Sequence, residues 1–341
     1  MPKPLITELL AAGAVTSHFP PSTADDQTAA EQLPASQLRA HALALPALDE
    51  STLRAHFADL LAIESWPGAA VYARAAALPG LAALHPRQPA TTVQGALEII
   101  HEVARALAAM TGLDRFTLQP PTLAIAERAA LLVARAWANS SPSPRSELLA
   151  PAGSSALDAA SELGLTPRPV ERLETGDLDL DKLDGAAGPK TVAVVASWLT
   201  PSGALERNLA AAAALAHARG ALFCVAAAGL GKLAGHTRLR EAEVDVAWLH
   251  LGELCPAATG AALGVRSALT EFLPRPLVGK QREGYELDDE LPRSIGPLAL
   301  APARLADALA LYVALRTLGE AGLKERSERL ASEAEYGPQL W

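Results

Sequence analysis

The stretch TVAVVASW, Thr191–Trp198, decides the fold. It is a β-branched, apolar run with no polar alternation, the pattern of a strand covered on both faces. Working outward, ALFCVA at Ala221–Ala226 and VDVAWLHL at Val244–Leu251 read the same way, as do the shorter Phe116–Leu118 and Glu147–Ala150. Between them lie helix-like segments at Leu123–Trp137, Ser154–Leu163 and Gly203–Arg219. Strands alternating with helices, and buried on both sides, give an α/β fold with a mostly parallel central sheet. Upstream, Val93, Leu97, Ile100, Val103 and Leu107 recur at helical spacing until Gly112 caps the helix. A long helix over Ala303–Leu330 closes the chain. Asp177–Leu183 reads as a charged hairpin or linker, and Glu283–Glu290 as an acidic loop.

The chain has 341 residues, 50% hydrophobic and 20% charged, with a formal net charge of -9. That balance is globular, and an acidic chain without a basic run has no nucleic-acid footprint. Two Cys, Cys224 and Cys255, make no disulfide framework. The His residues are scattered without i, i+4 pairs, so no metal site is expected. No signal peptide or membrane span is legible, and a cytoplasmic protein is expected. Gly229-Leu230-Gly231-Lys232 is glycine-rich but has the spacing of neither common phosphate loop. Residues 1–84, punctuated by Pro, Ser and Thr, read as an N-terminal arm, and 85–341 as the large α/β domain.

Two motifs carry more. His85-Pro86-Arg87-Gln88-Pro89 is followed by Thr92-Val93-Gln94-Gly95-Ala96-Leu97-Glu98, and Thr111-Gly112-Leu113-Asp114 by Thr117-Leu118-Gln119-Pro120. With Phe272-Leu273-Pro274, Ser294-Ile295-Gly296 and Thr317-Leu318-Gly319, they closely resemble the P-protein of the glycine cleavage system, and best the β subunit of its split form. The resemblance is collinear over almost the whole chain. It implies the fold-type I architecture of pyridoxal-phosphate enzymes. It also implies that the family's small C-terminal domain is missing after Trp341.

Carried over residue by residue, the resemblance implies an altered site. Glu253 stands at the position of the family's Schiff-base Lys, and a carboxylate cannot supply that amine. Ala226 stands at the position of the Asp that keeps the pyridine nitrogen protonated. The phosphate turn reads Leu123-Ala124-Ile125-Ala126-Glu127, with glycines replaced. Three site loops read as shortened, near Trp66–Leu78, at Pro151–Ser154 and at Pro256–Gly260. On this reading pyridoxal phosphate is lost. The chain is then a non-catalytic assembly or regulatory subunit, pairing with itself or with an active homologue, with His85, Gln88, Gln94 and Glu98 as candidate partner contacts. The alternatives are an active pyridoxal-phosphate-dependent glycine dehydrogenase subunit, with Lys232 as a replacement amine, and a repurposed small-molecule-binding protein.

Overall fold

The computed structural model describes residues 88–142, 144–229, 239–282, 284–299 and 301–336. The N-terminal arm, His85, Lys232 and the loop expected near Trp66–Leu78 lie outside these residues. Helix α1 (Gln94–Thr111) ends where Gly112, at φ 75°, donates its N–H to the Ala108 carbonyl. Strand β1 (Arg115–Thr117) follows, then α2 (Leu123–Asn139), β2 (Glu147–Pro151), α3 (Ser155–Glu162) and β3 (Thr166–Val170). After them come α4 (Leu180–Ala186), β4 (Thr191–Ser197), α5 (Leu209–Ala218), β5 (Leu222–Ala226) and β6 (Val246–His250). The chain goes on through β7 (Ala261–Val265), a hairpin of β8 (Leu277–Gln281) and β9 (Gly284–Asp288), and α6 (Leu305–Tyr336). Gly319, at φ 62°, interrupts α6.

The central sheet runs β1-β7-β6-β5-β4-β2-β3, and β7 alone runs against its neighbours. The expected mostly parallel α/β sheet is therefore present. Its two faces carry separate cores. On one, Leu97, Ile100 and Leu107 of α1 and Leu309 of α6 cover Phe223, Val225 and Leu249. On the other, Leu131 and Val133 of α2 and Ala156 and Ala160 of α3 cover Leu148, Val195, Cys224 and Trp248. Each fully buried large side chain contributes about 1.5–3 kcal/mol by leaving water. This is why the apolar runs lack alternation.

Short polar caps set the helix starts. Thr122, Ser154 and Asp179 accept backbone N–H groups of Ile125, Ala156 and Lys182 at the openings of α2, α3 and α4. At the amino edge of the sheet Asp245 is buried. It accepts the Phe223 N–H at 2.8 Å and meets His217 Nε2 at 2.7 Å, tying β5 and α5 to the start of β6.

Three segments depart from expectation. Asp177–Leu183, expected as a charged hairpin or linker, starts as the return of a tight turn, with Leu178 bridged to Arg172, and then becomes helix: Asp179 caps α4, and Asp177 takes the Arg207 side chain and backbone N–H. Helix α5 starts at Leu209 and not Gly203, because buried Glu206 accepts the Leu178 and Asn208 N–H groups and holds the preceding residues in a bridged turn. The acidic stretch after residue 283 is strand β9, which pairs with β8 through Lys280↔Tyr285.

Candidate active site at the carboxyl edge of the sheet

Strands β2, β4, β5 and β6 all end at one edge, and the sequence-derived site residues gather there. The Ala261 N–H donates to the Pro120 carbonyl at 3.0 Å, and Ala261 pairs with His250. This sets the start of α2 beside the end of β6. Ala226 is in register with Ser197 on one side and Trp248 on the other. Trp248 is fully buried on the α2 face, so a large indole stands next to the small Ala226. The β5 turn then passes close to the β4 loop. Gly229 has φ 81°, and a Cβ there would lie 2.3 Å from Leu199 Cδ1, so both backbone and space require glycine.

Beyond β6 the chain turns tightly. His250 Nδ1 accepts the Gly252 N–H at 3.1 Å, and Glu253 ends a single 3-10 turn over Leu251–Glu253. The Glu253 carbonyl accepts Arg326 Nη2 from α6 at 3.2 Å. Thr259 and Arg304 both approach Asp307, in the first turn of α6, and so fasten that helix to the loop before β7. The shortened Pro256–Gly260 segment is thus a packed connection.

The opening of α2 is exposed at its first residues. Leu123 and Ala124 are exposed and do not fill the turn, while Ala126 is buried beneath it. A helix N-terminus of this length presents first-turn amides and the positive end of its dipole to an anion. Glu127 is buried and accepts Ser155 Oγ at 2.9 Å, joining α2 to the start of α3. Burial raises its carboxyl above the ordinary value, while Ser155 and Arg128 act the other way. At the shortened Pro151–Ser154 connection the Ser154 N–H donates to the Pro151 carbonyl, and β2 passes straight into α3.

Phosphate-turn residues Leu123–Glu127 and positions Ala226 and Glu253 therefore share one edge. The candidate contacts on α1 lie elsewhere. Gln94 bonds to the Ala90 carbonyl and to both backbone groups of Tyr285, joining α1 to β9. Gln88 is exposed and Glu98 half-buried. Ser155 and Arg326 escaped the sequence reading. The Ser154-Ser155 pair after an apolar strand is a legible helix start, but nothing in sequence joins Arg326 to a residue 73 positions away. Among the described residues no helix is long and apolar enough to cross a membrane, and no cluster could hold a metal ion.

No family model matches the chain. Among curated proteins it is similar to the probable glycine dehydrogenase (decarboxylating) subunit 2 of Desulforamulus reducens, 29% identical over 98% of this chain and 74% of that protein. The subunit 2 of Thermococcus gammatolerans is 30% identical over 98% and 71%. That of Coxiella burnetii is 31% identical over 91% and 68%. Among solved structures it is similar to inhibitor-bound glycine decarboxylase (P-protein) of the glycine cleavage system. The TM-score is 0.62, with 23% identity, covering 82% of this chain and 69% of that one. Mouse CSAD shares the fold at a TM-score of 0.60 and 20% identity, over 78% and 60% of the two chains.

These likenesses correct one expectation. The expected loss of pyridoxal phosphate is overturned: the relatives that span nearly the whole chain are named glycine dehydrogenase (decarboxylating) subunit 2, the family whose cofactor the resemblance implied. The physical reason lies in how such a cofactor is held. A helix N-terminus can seat a phosphate whatever residue stands at the amine position, and Leu123 at the opening of α2 is exposed. The chain belongs to the family of glycine dehydrogenase (decarboxylating) subunit 2.

Proposed function

We propose that this chain is a pyridoxal-phosphate-binding subunit of a decarboxylating glycine dehydrogenase that works with a second subunit. The observation that carries the reading is kinship over 91–98% of the chain, combined with a helix N-terminus open at the carboxyl edge. When bound, the cofactor supplies the electron sink for breaking the bond to the glycine carboxylate. The first-turn amides of α2 would hold its phosphate. Ser155 donates to the Glu127 carboxylate behind that turn and would keep it in place, and the buried Trp248 indole supports Ala226 from the neighbouring strand. Among the described residues, Lys182 and Lys324 lie on helices, Lys190 precedes β4 and Lys280 lies in the hairpin. The amine therefore comes from outside the described residues or from the second subunit. The test is titration with pyridoxal phosphate, followed by carbon dioxide release from glycine with and without the second subunit. Saturable cofactor binding, with release in the presence of the second subunit, supports the reading, and absence of both refutes it.

Glu253 and Ala226 favour a second reading within the same assembly. The chain then completes the complex without performing the reaction, because neither the amine nor the ring-nitrogen acid stands at its expected position. The same assay separates the two. A Lys232→Ala variant that leaves release unchanged, while omission of this chain abolishes it, supports the second reading.

A further inference from the structure

Away from the carboxyl edge, a cavity of about 240 Å³ opens between α1, the edge strand β1 and the segment leading into β8. Most of its wall is apolar, including Ile100, Ala104, Phe116, Leu277 and Val278. One end is charged, and there the charges are unequally matched. The Glu102 carboxylate is held by Arg105 at 2.7 Å. Asp114 accepts the Ser267 N–H at 2.8 Å and lies 3.7 Å from Arg240. Both carboxylates are thus engaged by groups of the protein.

Arg115 differs. Its guanidinium lines the cavity and donates Nη2 to the neutral Val278 carbonyl at 2.9 Å, and no carboxylate of the described residues lies within ion-pair distance. A guanidinium has five N–H donors in a planar fork, so most remain for a ligand. Lys280 adds charge nearby, 5.6 Å above the Tyr285 ring, and the same ring lies 5.2 Å from the His101 imidazole. Burial lowers the His101 pKa, Glu102 opposes it, and Arg115 and Lys280 add smaller effects in the same direction as burial, so both cations act on this end of the cavity.

We propose that this cavity is a second ligand site that takes a small organic carboxylate, its head on Arg115 and its short apolar body against Ile100, Ala104 and Phe116. A mostly apolar pocket with a few polar and charged groups at one end is the usual form of a metabolite site, and a fork of donors matches a carboxylate bidentately. The site shares no residue with the carboxyl edge described above.

Benzoate and hexanoate are suitable probes, followed by calorimetry and by ligand-observed NMR on the full chain. Saturable millimolar or tighter binding is expected, with the neutral isostere benzamide at least tenfold weaker. Arg115→Gln should weaken benzoate at least tenfold, and Arg115→Lys less. Ala104→Leu narrows the cavity without touching Arg115 and should abolish binding in a protein of unchanged circular dichroism. Equal affinity for benzoate and benzamide, unchanged binding in Ala104→Leu, or no saturable signal with the parent chain would each overturn the proposal.

Discussion

Replacing Gln119 by Met removes one polar group of nearly unchanged size, and the consequence can be worked out from its contacts. Gln119 is 2% exposed. Its Nε2 donates to the Pro274 carbonyl at 3.2 Å and the Pro276 carbonyl at 2.9 Å, while Oε1 accepts the Leu298 N–H at 3.1 Å. One side chain therefore pins the segment before β8 and the chain before α6 to the end of β1. Met conserves length and volume, so no cavity term enters. Three lost hydrogen bonds at about 1 kcal/mol each give about 3 kcal/mol, with two buried carbonyls left without a donor. Against a total stability of about 5–15 kcal/mol this is a large fraction. In urea the midpoint should fall with the slope unchanged, and the melting temperature should drop by about 6–12 °C. A loss below about 1 kcal/mol at unchanged slope would refute the assignment of these bonds as buried and intact.

Glu127→Gln should stabilise the protein at neutral pH. Burial raises the folded-state pKa, so the acid's contribution is full below its unfolded value and lost as pH rises through the raised one; the advantage of Gln must vanish in acid, and urea midpoints across pH should show it shrinking. Gly264→Ala places a Cβ 2.2 Å from Phe116 Cζ and should cost about 1–3 kcal/mol by overpacking, read as a urea midpoint shift. Asp245→Ala leaves the Phe223 N–H without its acceptor and His217 without its carboxylate, costing about 1–3 kcal/mol in the same assay, and Asp245→Asn, which keeps an acceptor, should recover part of it.

The strands that dominate the core were legible because burial on both faces leaves an uninterrupted apolar run, as in β4, β5 and β6. The short β1 and β2 were also legible, but β3, β7, β8 and β9 were not. Strand β3 reads TPRPV, with a mixed exposure pattern, and its two prolines are tolerated because it lies at the sheet edge. Strand β7 reads AALGV and owes its identity to partners on both sides, while β8 and β9 carry Lys, Gln and Glu on a two-stranded ribbon. Helix α4 is short and acidic, and only the Asp179 cap betrays it.

At the site the same division holds. Ala226 ends a legible strand and Glu253 follows one by three residues, so both positions could be placed on the sequence. The Glu127–Ser155 and Glu253–Arg326 contacts could not, since they join residues 28 and 73 positions apart through tertiary packing. At the start of α2 the sequence shows glycines replaced, but not that Leu123 is 36% exposed in the folded chain.

The reversed strand β7 sets the order in which the protein can be made. Its neighbours are β6, just before it in the chain, and β1, near the start of the described fold; the two ends of this closure meet again where the Ser267 N–H donates to Asp114, 153 residues away. During synthesis the ribosome releases β1 first and can offer it no partner until β7 has emerged. Closure of the sheet at β1 is therefore a late, long-range event.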